Sequence, residues 1–222
     1  MSDPGSPFVD LPARLAGVVA RIEAAGGDPE AVSVLAVTKG FGPDAVRAAW
    51  AAGLASVGEN YAAELLAKRA AAGPGPPGSA WHFLGALQTN KIARLAPAVD
   101  CFQSVSRLLE GERIARARPG AEVLVQVSFS DDPARPGCPA SAVGALVRDL
   151  AGLGLAVPGL MAVAPPEPDG ARAAFRSVRE LADRLGLPVR SMGMTEDLEL
   201  AVAEGSTMVR VGRALFGDRP AR

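Results

Sequence analysis

The chain has 222 residues, a formal net charge of −1, and a composition of 49% hydrophobic and 21% charged residues. This length suits one domain with a substantial core, and the composition argues against global disorder. The near-neutral charge argues against a general nucleic-acid-binding surface, so no nucleic-acid partner is expected.

The cysteines, the single histidine and the distribution of apolar residues indicate which sites and which cellular compartment to expect. The two cysteines, Cys101 and Cys138, form no disulfide framework, which favours a reducing, cytoplasmic compartment. One histidine, His82, and no Cys/His cluster predict that the protein has no metal site. Residues 1–10 lack the features of a signal peptide and are expected to form a flexible tail, and no apolar run reaches membrane-spanning length.

The first predicted element is a helix from Leu11 to Ala25, with Asp10 as its N-cap and Gly26-Gly27 at its end. Eight short apolar runs follow, and several are apolar throughout, as strands buried on both faces of a parallel sheet are. The predicted strands are Val32–Thr38, Ala55–Gly58, Trp81–Leu84, Cys101–Val105, Val123–Phe129, Val157–Val163, Val189–Met192 and Thr207–Val211. The segments between them show helical spacing, for example Ala45–Gly53 and Phe175–Leu185.

Eight strands alternating with helices predict a single (β/α)8 TIM-type barrel over residues 11–222, with the first helix as an addition at its N-terminal end. The alternative is an open doubly wound sheet. That sheet usually carries a glycine-rich dinucleotide loop, and Gly85-Ala86-Leu87-Gln88 does not match one.

Unusual polar residues follow the predicted strands, where barrels of this type place their chemistry. They are Lys39, Glu59-Asn60-Tyr61, Gln88–Lys91, Ser104, Ser106, Ser128, Ser130, Ser191–Thr195 and Arg210–Arg213.

Lys39 is the candidate nucleophile of this set. The 23 basic residues include only three lysines and 20 arginines, and Lys39 stands between the apolar run Val34–Val37 and Gly40. Burial lowers the pKa of a lysine, and the neutral amine can attack an aldehyde to form a Schiff base. From position alone, a lysine that snorkels from a strand end is an equally good interpretation.

Two later segments suit a phosphate. Ser191 and Thr195 offer hydroxyl groups, Thr195 precedes a predicted helix start, and Gly212 permits close approach of a ligand. Each feature is also explained by an ordinary helix cap or turn. Together with Lys39 they indicate a phosphorylated aldehyde, either pyridoxal 5′-phosphate (PLP) or the sugar phosphate of a Schiff-base aldolase.

Six motifs in order along the chain decide between these alternatives. They are Leu35–Lys39, Val57–Tyr61, Trp81–Lys91, Gly159–Ala162, Ser191–Thr195 and Gly205–Gly212. On these motifs the chain resembles the pyridoxal phosphate homeostasis protein family, which is similar to the barrel domain of alanine racemase.

The resemblance implies that PLP is the cofactor and that Lys39 carries it as an internal aldimine. Arg210 is implied to face the pyridine nitrogen and Asn60 to lie near the ring. The phosphate is implied to contact Ser191, Thr195 and the main-chain N–H groups of Gly212 and Arg213. His82 and Met192 are implied to line the site, although His82 serves equally well as an interior polar tie. The resemblance implies no catalytic residue.

The sequence also departs from the family pattern. A second lysine near the cofactor is missing, because Phe41 stands in that segment. Arg135 replaces the usual lysine after the fifth strand, and Arg213 replaces a hydroxyl residue of the phosphate loop.

The resemblance implies a non-enzymatic protein that binds PLP and takes part in intracellular PLP (vitamin B6) homeostasis, with apo PLP-dependent enzymes as transient recipients. The alternative is a weak PLP-dependent amino-acid racemase. Arg210 argues against it, since an arginine does not readily protonate the pyridine nitrogen and so leaves a weaker electron sink. The chain ends at Arg222 without the second domain of a racemase, so a monomer is expected.

Overall fold

The computed structural model describes residues 7–129 and 136–219 of the chain. Parallel strands alternate with helices along this part of the sequence. The strands are β1 (Ser33–Val37), β2 (Ser56–Glu59), β3 (Ala80–Phe83), β4 (Cys101–Val105), β5 (Glu122–Ser128), β6 (Cys138–Pro139), β7 (Ala156–Ala162), β8 (Val189–Ser191) and β9 (Met208–Val211).

The helices cover the outside of the strands. They are α1 (Leu11–Ala24), α2 (Pro43–Ala51), α3 (Ala62–Ala72), α4 (Thr89–Leu95), α5 (Leu108–Ala117), α6 (Ala140–Gly152), α7 (Pro168–Leu185), α8 (Leu198–Ala203) and α9 (Arg213–Phe216). A short 3-10 helix, Ala96–Ala98, follows α4. No helix in the described ranges is long and apolar enough to cross a membrane.

Eight of the strands close into a barrel. Strands β1 to β5 pair in chain order, β7, β8 and β9 continue the ring, and β9 pairs back with β1. The two-residue β6 pairs with the end of β5 and is an addition to the ring. The predicted (β/α)8 barrel is therefore confirmed, and every predicted strand overlaps one strand of the ring.

The barrel interior changes from apolar to polar along its axis. One layer is apolar and contains Cys101, Leu124 and Met161, with Val189 packed against them. Successive side chains of a strand point to opposite faces, so the same face reappears two residues later. On that next layer the buried side chains are polar: Gln103, Gln126 and Ser191. Polar groups are thus concentrated towards the C-terminal ends of the strands.

The outer face of the strands forms the main hydrophobic core with the helices. The long amphipathic helix α7 buries Phe175, Val178 and Leu181 on one stripe and ends at Gly186, whose left-handed backbone (φ +66°) suits glycine. Phe102 of β4 is fully buried in the same core. This packing fixes the strands whose ends carry the polar residues.

The N-terminal segment is packed against the C-terminal end of the barrel. Helix α1 begins at Leu11 as predicted, but Asp10 has helical dihedral angles and makes no side-chain cap bond. Of the expected tail 1–10, residues 7–10 form turns, and residues 1–6 lie outside the described ranges. The ring of Phe8 packs edge-on against Phe41 and Phe216, at centroid distances of 5.8 and 5.5 Å.

Candidate functional site

A cleft of about 1240 Å³ opens at the C-terminal ends of the strands. Its lining comes from the segments that follow most strands of the ring, so residues distant in sequence meet there. From the predicted site it includes Lys39, Asn60, Thr195, Arg210, Gly212 and Arg213. Ser191, Met192 and His82 do not belong to the lining.

Lys39 stands in the turn that follows β1. The next residue, Gly40, has a left-handed backbone (φ +81°), which lets the chain reverse directly after the lysine. Burial lowers the pKa of Lys39, and the charges of Arg219 and Arg210 lower it further, while Glu59 opposes this shift. A larger fraction of neutral amine is therefore present near neutral pH than for a lysine in water, which suits a nucleophile.

Arg210 of β9 is a buried cation in the wall of the cleft. Its Nη1 donates to the carbonyl oxygen of Ser191 at 2.5 Å and to Ser191 Oγ at 3.0 Å, and its Nη2 donates to the carbonyl oxygen of Ala162 at 2.7 Å. Burial lowers its pKa to about 10, so the guanidinium stays charged at neutral pH. The structure thus holds a positive charge at a fixed orientation close to Lys39.

A chain of buried hydrogen bonds supports Arg210 from inside the barrel. Ser191 Oγ donates to Gln103 Oε1 at 2.7 Å, and Gln103 Nε2 lies 2.8 Å from His82 Nδ1. Burial lowers the pKa of His82 to about 4, so its ring is neutral and can accept from the Gln103 amide. His82 therefore makes an interior polar contact with Gln103, and a role towards a ligand stays a prediction.

Two predicted contacts do not fit this geometry. The Ser191 hydroxyl is fully buried and uses its proton on Gln103, so it does not face the cleft. Met192 points to the opposite side because neighbouring residues of a strand alternate, and it is fully buried in the outer core. The structure thus places both side chains away from the lining of the cleft, and their contact with a ligand stays a prediction.

The expected phosphate end of the cleft is formed by Thr195, Gly212 and Arg213. Thr195 Oγ1 accepts from the N–H of Ala214 at 3.4 Å, which leaves the hydroxyl proton available to a ligand. The helix predicted to start after Thr195 begins only at Leu198. The Arg213 guanidinium pairs with Glu196 at the surface, so only its main chain is suited to a phosphate.

The absence of a side chain at Gly212 has a packing reason. A Cβ built at Gly212 would lie 3.2 Å from the carbonyl oxygen of Val37, the last residue of β1. The glycine therefore permits close approach between β9 and β1, and its role towards a ligand stays a prediction.

Asn60 carries an unpaired polar atom at the edge of the cleft. Its Oδ1 is buried and has no hydrogen-bond partner among the described residues. The main chain beside it is fixed, because a Cβ at Gly85 would overlap the Asn60 carbonyl oxygen, and Ser104 Oγ donates to the Gly85 carbonyl. Buried polar atoms are rarely left unpaired, so this amide suits a polar group of a bound molecule. Its nitrogen and oxygen can exchange places by a flip.

These features fit a flat anionic molecule that carries an aldehyde. The amine of Lys39 suits the aldehyde, Arg210 suits a ring acceptor or an anionic group, and Thr195 suits a phosphate. The cleft also has acidic side chains at its lining, Glu196, Asp197 and Asp218. No group of three or more potential metal ligands occurs within the described ranges.

Of the residues singled out above, Phe41 lies in the described part of the chain, whereas two others do not. Phe41 lines the cleft and belongs to the ring contacts with Phe8 and Phe216, so its position serves packing. Arg135 and Ser130 lie outside the described residues.

Sequence reasoning missed Gln103 and Arg219. Gln103 is a large polar residue inside the predicted strand Cys101–Val105, and its position within a buried strand is the signal that could have identified it. Arg219 lies over Gly40, where a Cβ would meet its side chain at 2.8 Å, and no sequence pattern marks it.

Comparison with known proteins gives consistent relatives over nearly the whole chain. The alanine racemase N-terminal domain family matches residues 14–220. A pyridoxal phosphate homeostasis protein of Pseudomonas aeruginosa is 42% identical over 221 residues, which cover 93% of this chain and 94% of the relative. The protein of the same name from Escherichia coli is 36% identical over 228 residues, with 95% and 97% covered.

Among solved structures, PipY of Synechococcus elongatus with PLP bound is 32% identical. It superposes with a TM-score of 0.79 over 93% of this chain and 100% of PipY.

Proposed function

The chain belongs to the pyridoxal phosphate homeostasis protein family, and we propose that it binds PLP covalently through Lys39 and takes part in intracellular PLP homeostasis without catalysing a reaction. The observation that carries this proposal is the meeting of Lys39, Arg210 and Thr195 in one cleft. The PLP-bound structure of a relative with the same fold supports it.

Different residues of the cleft bind different parts of PLP in this proposal. The neutral amine of Lys39 would hold PLP through a covalent bond to its aldehyde carbon, with loss of one water. Arg210 donates to the pyridine nitrogen, and Asn60 donates its amide to the ring substituents. Thr195 and the main-chain N–H groups of Gly212 and Arg213 hold the phosphate, since hydroxyl and amide donors to a charged group make strong hydrogen bonds.

The same geometry favours binding over turnover. Racemisation by a two-base mechanism needs a base on each face of the substrate carbon. Within the described ranges, the lining offers Lys39 but neither a tyrosine nor a histidine. Arg210 also keeps the ring nitrogen largely unprotonated, and this weakens the electron sink that α-carbon chemistry requires. We therefore propose that the bound cofactor is stored and passed to apo-enzymes.

Absorbance and chemical trapping test the proposal. Purified protein mixed with PLP is expected to show the absorbance of a lysine adduct, and borohydride reduction followed by peptide mass spectrometry is expected to place the label on Lys39. Lys39→Ala should abolish the band, whereas Lys91→Ala, which removes an exposed lysine, should keep it. Label on another residue, or no binding at all, would contradict the proposal.

Two further measurements separate storage from enzymatic activity. Incubation of the loaded protein with an apo PLP-dependent enzyme is expected to restore that enzyme's activity. Interconversion of L- and D-alanine above the level of Lys39→Ala would instead support the racemase alternative. The monomeric state belongs to the same proposal, and light scattering of the loaded and unloaded protein tests it.

A further inference from the structure

A buried charged cluster lies behind the turn that carries Lys39. It consists of Thr38 directly after β1, Glu59 at the end of β2, and Glu64 and Lys68 on α3, and we call it the turn cluster. Thr38, Glu59 and Lys68 are only 0%, 0% and 4% exposed. Burying charges is costly even when they are paired, and apolar residues would pack there at lower cost. The position of these charges therefore calls for an explanation.

Both peptide groups next to Lys39 are bonded to the turn cluster. The carbonyl oxygen of Thr38, on the N-terminal side, accepts from Lys68 Nζ at 2.7 Å. The N–H of Gly40, on the C-terminal side, donates to Glu64 Oε2 at 2.8 Å. Because Glu64 and Lys68 both belong to α3, one helix holds the main chain of Lys39 from both sides.

Glu59 ties the turn cluster together. Its Oε1 accepts from Thr38 Oγ1 at 2.5 Å and from Lys68 Nζ at 2.6 Å. Lys68 Nζ also lies 3.4 Å from Glu64 Oε2. An ammonium group has three N–H donors, and here the three acceptors are the Thr38 carbonyl, Glu59 and Glu64. Lys68 therefore cannot shift without breaking at least one of these bonds.

We propose that Lys68, Glu59 and Glu64 are positioning residues for Lys39, which keep its amine at one place in the cleft while an aldehyde arrives and departs. A lysine side chain is long and flexible, so the anchoring of its main chain limits where the amine can go. The left-handed glycine that follows would otherwise leave this turn with many accessible conformations. This inference rests on the proposed function, because it assigns these residues to the same reactive amine.

The turn cluster also acts on the charge of Lys39. The groups that face the amine are Arg219 and Arg210, which lower its pKa, and Glu59, which raises it, in addition to the lowering by burial. Burial raises the pKa of Glu59 itself, against the hydrogen bonds from Lys68 and Thr38. Neutralising Glu59 should therefore increase the neutral fraction of Lys39 at a given pH.

Chemical labelling of the unloaded protein tests positioning without PLP. The rate at which acetic anhydride modifies Lys39, followed by mass spectrometry over a range of pH, reports the pKa and accessibility of the amine. Stopped-flow absorbance then reports how fast PLP forms its covalent bond. Both are measured for wild type and for variants that fold, as judged by circular dichroism and thermal unfolding.

Glu64→Met removes the acceptor of the Gly40 N–H, whereas Glu64→Gln keeps an oxygen in the same place without its charge. The rate of covalent bond formation should fall by about 10- to 100-fold in Glu64→Met, since a displacement of 1 Å can cost about 10²-fold. Glu64→Gln should recover most of that rate. A purely structural carboxylate would not produce this difference between two variants of similar stability.

Lys68→Met alone leaves Glu59 buried without its counter-charge and risks unfolding the protein. The double variant Lys68→Met/Glu59→Gln removes both charges and is the companion test. It should show the same loss of rate, together with a labelling curve for Lys39 shifted to lower pH.

Two control variants separate positioning from general stability. Lys91→Met removes an exposed lysine and should change neither measurement. Glu204 is a buried carboxylate that pairs with Arg172, Arg176 and Arg179 and does not line the cleft. Glu204→Gln removes its charge and so weakens these ion pairs. It should lower the unfolding temperature without changing the labelling of Lys39.

The proposal is overturned if Glu64→Met and the double variant fold and keep the wild-type labelling curve and the wild-type rate of covalent bond formation. A wild-type protein that binds no PLP would refute the proposed function instead. In that case the labelling of Lys39 in the unloaded variants still decides the positioning role.

Discussion

Replacement of Ser191 by alanine separates a role inside the barrel from a role in phosphate binding. The hydroxyl donates to Gln103 Oε1 at 2.7 Å and accepts from Arg210 Nη1 at 3.0 Å. Alanine leaves the buried Gln103 oxygen without that donor, while Arg210 Nη1 keeps its bond to the Ser191 carbonyl oxygen. An unpaired buried acceptor costs about 1–3 kcal/mol, so the free energy of unfolding should fall by about 2 kcal/mol.

Urea denaturation and PLP titration measure the two effects. With a slope of about 2 kcal/mol per M urea, the midpoint of Ser191→Ala should fall by about 1 M. The dissociation constant for PLP should rise by less than about tenfold, because the hydroxyl does not face the cleft.

Thr195→Val is the matched comparison, because Thr195 lines the cleft. Loss of one hydrogen bond to a charged phosphate is worth about 1.5–3 kcal/mol, which corresponds to a weakening of about 10- to 150-fold. If Ser191→Ala keeps its urea midpoint and loses PLP affinity to the extent expected for Thr195→Val, the reasoning about the interior hydrogen-bond chain is refuted.

Three further predictions concern stability. Burial lowers the pKa of His82 from 6.5 to about 4, so the unfolded chain takes up a proton first as the pH falls. The free energy of unfolding should therefore fall by about 3 kcal/mol by pH 4. Urea titrations of His82→Gln should lack this loss. Burial raises the pKa of Asp100, but the Trp81 N–H and the Arg118 guanidinium outweigh it and leave the pKa lowered. Asp100→Asn should therefore cost about 1 kcal/mol at pH 7, and its difference from wild type should shrink as the pH falls below 3.8 through the folded-state pKa. Phe8→Ala removes a ring that contacts Phe41 and Phe216 and should cost about 2 kcal/mol in thermal unfolding, with Phe8→Leu recovering part of it.

The barrel could be predicted from the sequence because its signals are local and repeated. Runs such as Val157–Val163 are apolar throughout, and Phe175–Leu185 has a helical stripe, so the sequence of each element indicates its type. The small strand Cys138–Pro139 could not be found in this way, since two residues held by main-chain bonds to β5 carry no periodic signal.

For the site, the sequence predicted which segments lie together but not the direction of each side chain. Lys39, Thr195 and Arg210 share the cleft because the ends of parallel strands meet on one face. The direction of each side chain depends on alternation within short strands, and a motif match carries no such information. Ser191 therefore points inwards to Gln103 and Met192 outwards to the core, although both belong to one matching motif.

The turn cluster was not predictable from the sequence for a different reason. Lys68 lies on a helix of ordinary composition. Of its buried partners, Thr38 directly follows β1 and Glu59 ends β2. Only the packing of α3 against the ends of β1 and β2 brings these charges together.

The pairing of the first strand with the last has a consequence for when the lysine becomes reactive. Ser33 of β1 pairs with Met208 of β9, and Arg210 and Arg219 reach Lys39 only through that final part of the chain. During synthesis from the N-terminus, Lys39 therefore emerges as an ordinary, fully protonated lysine. Burial in the completed fold and then the charges of Arg219 and Arg210 lower its pKa, so an unfinished or partly unfolded chain has no special tendency to capture aldehydes. Reactivity is thereby coupled to completion of the fold.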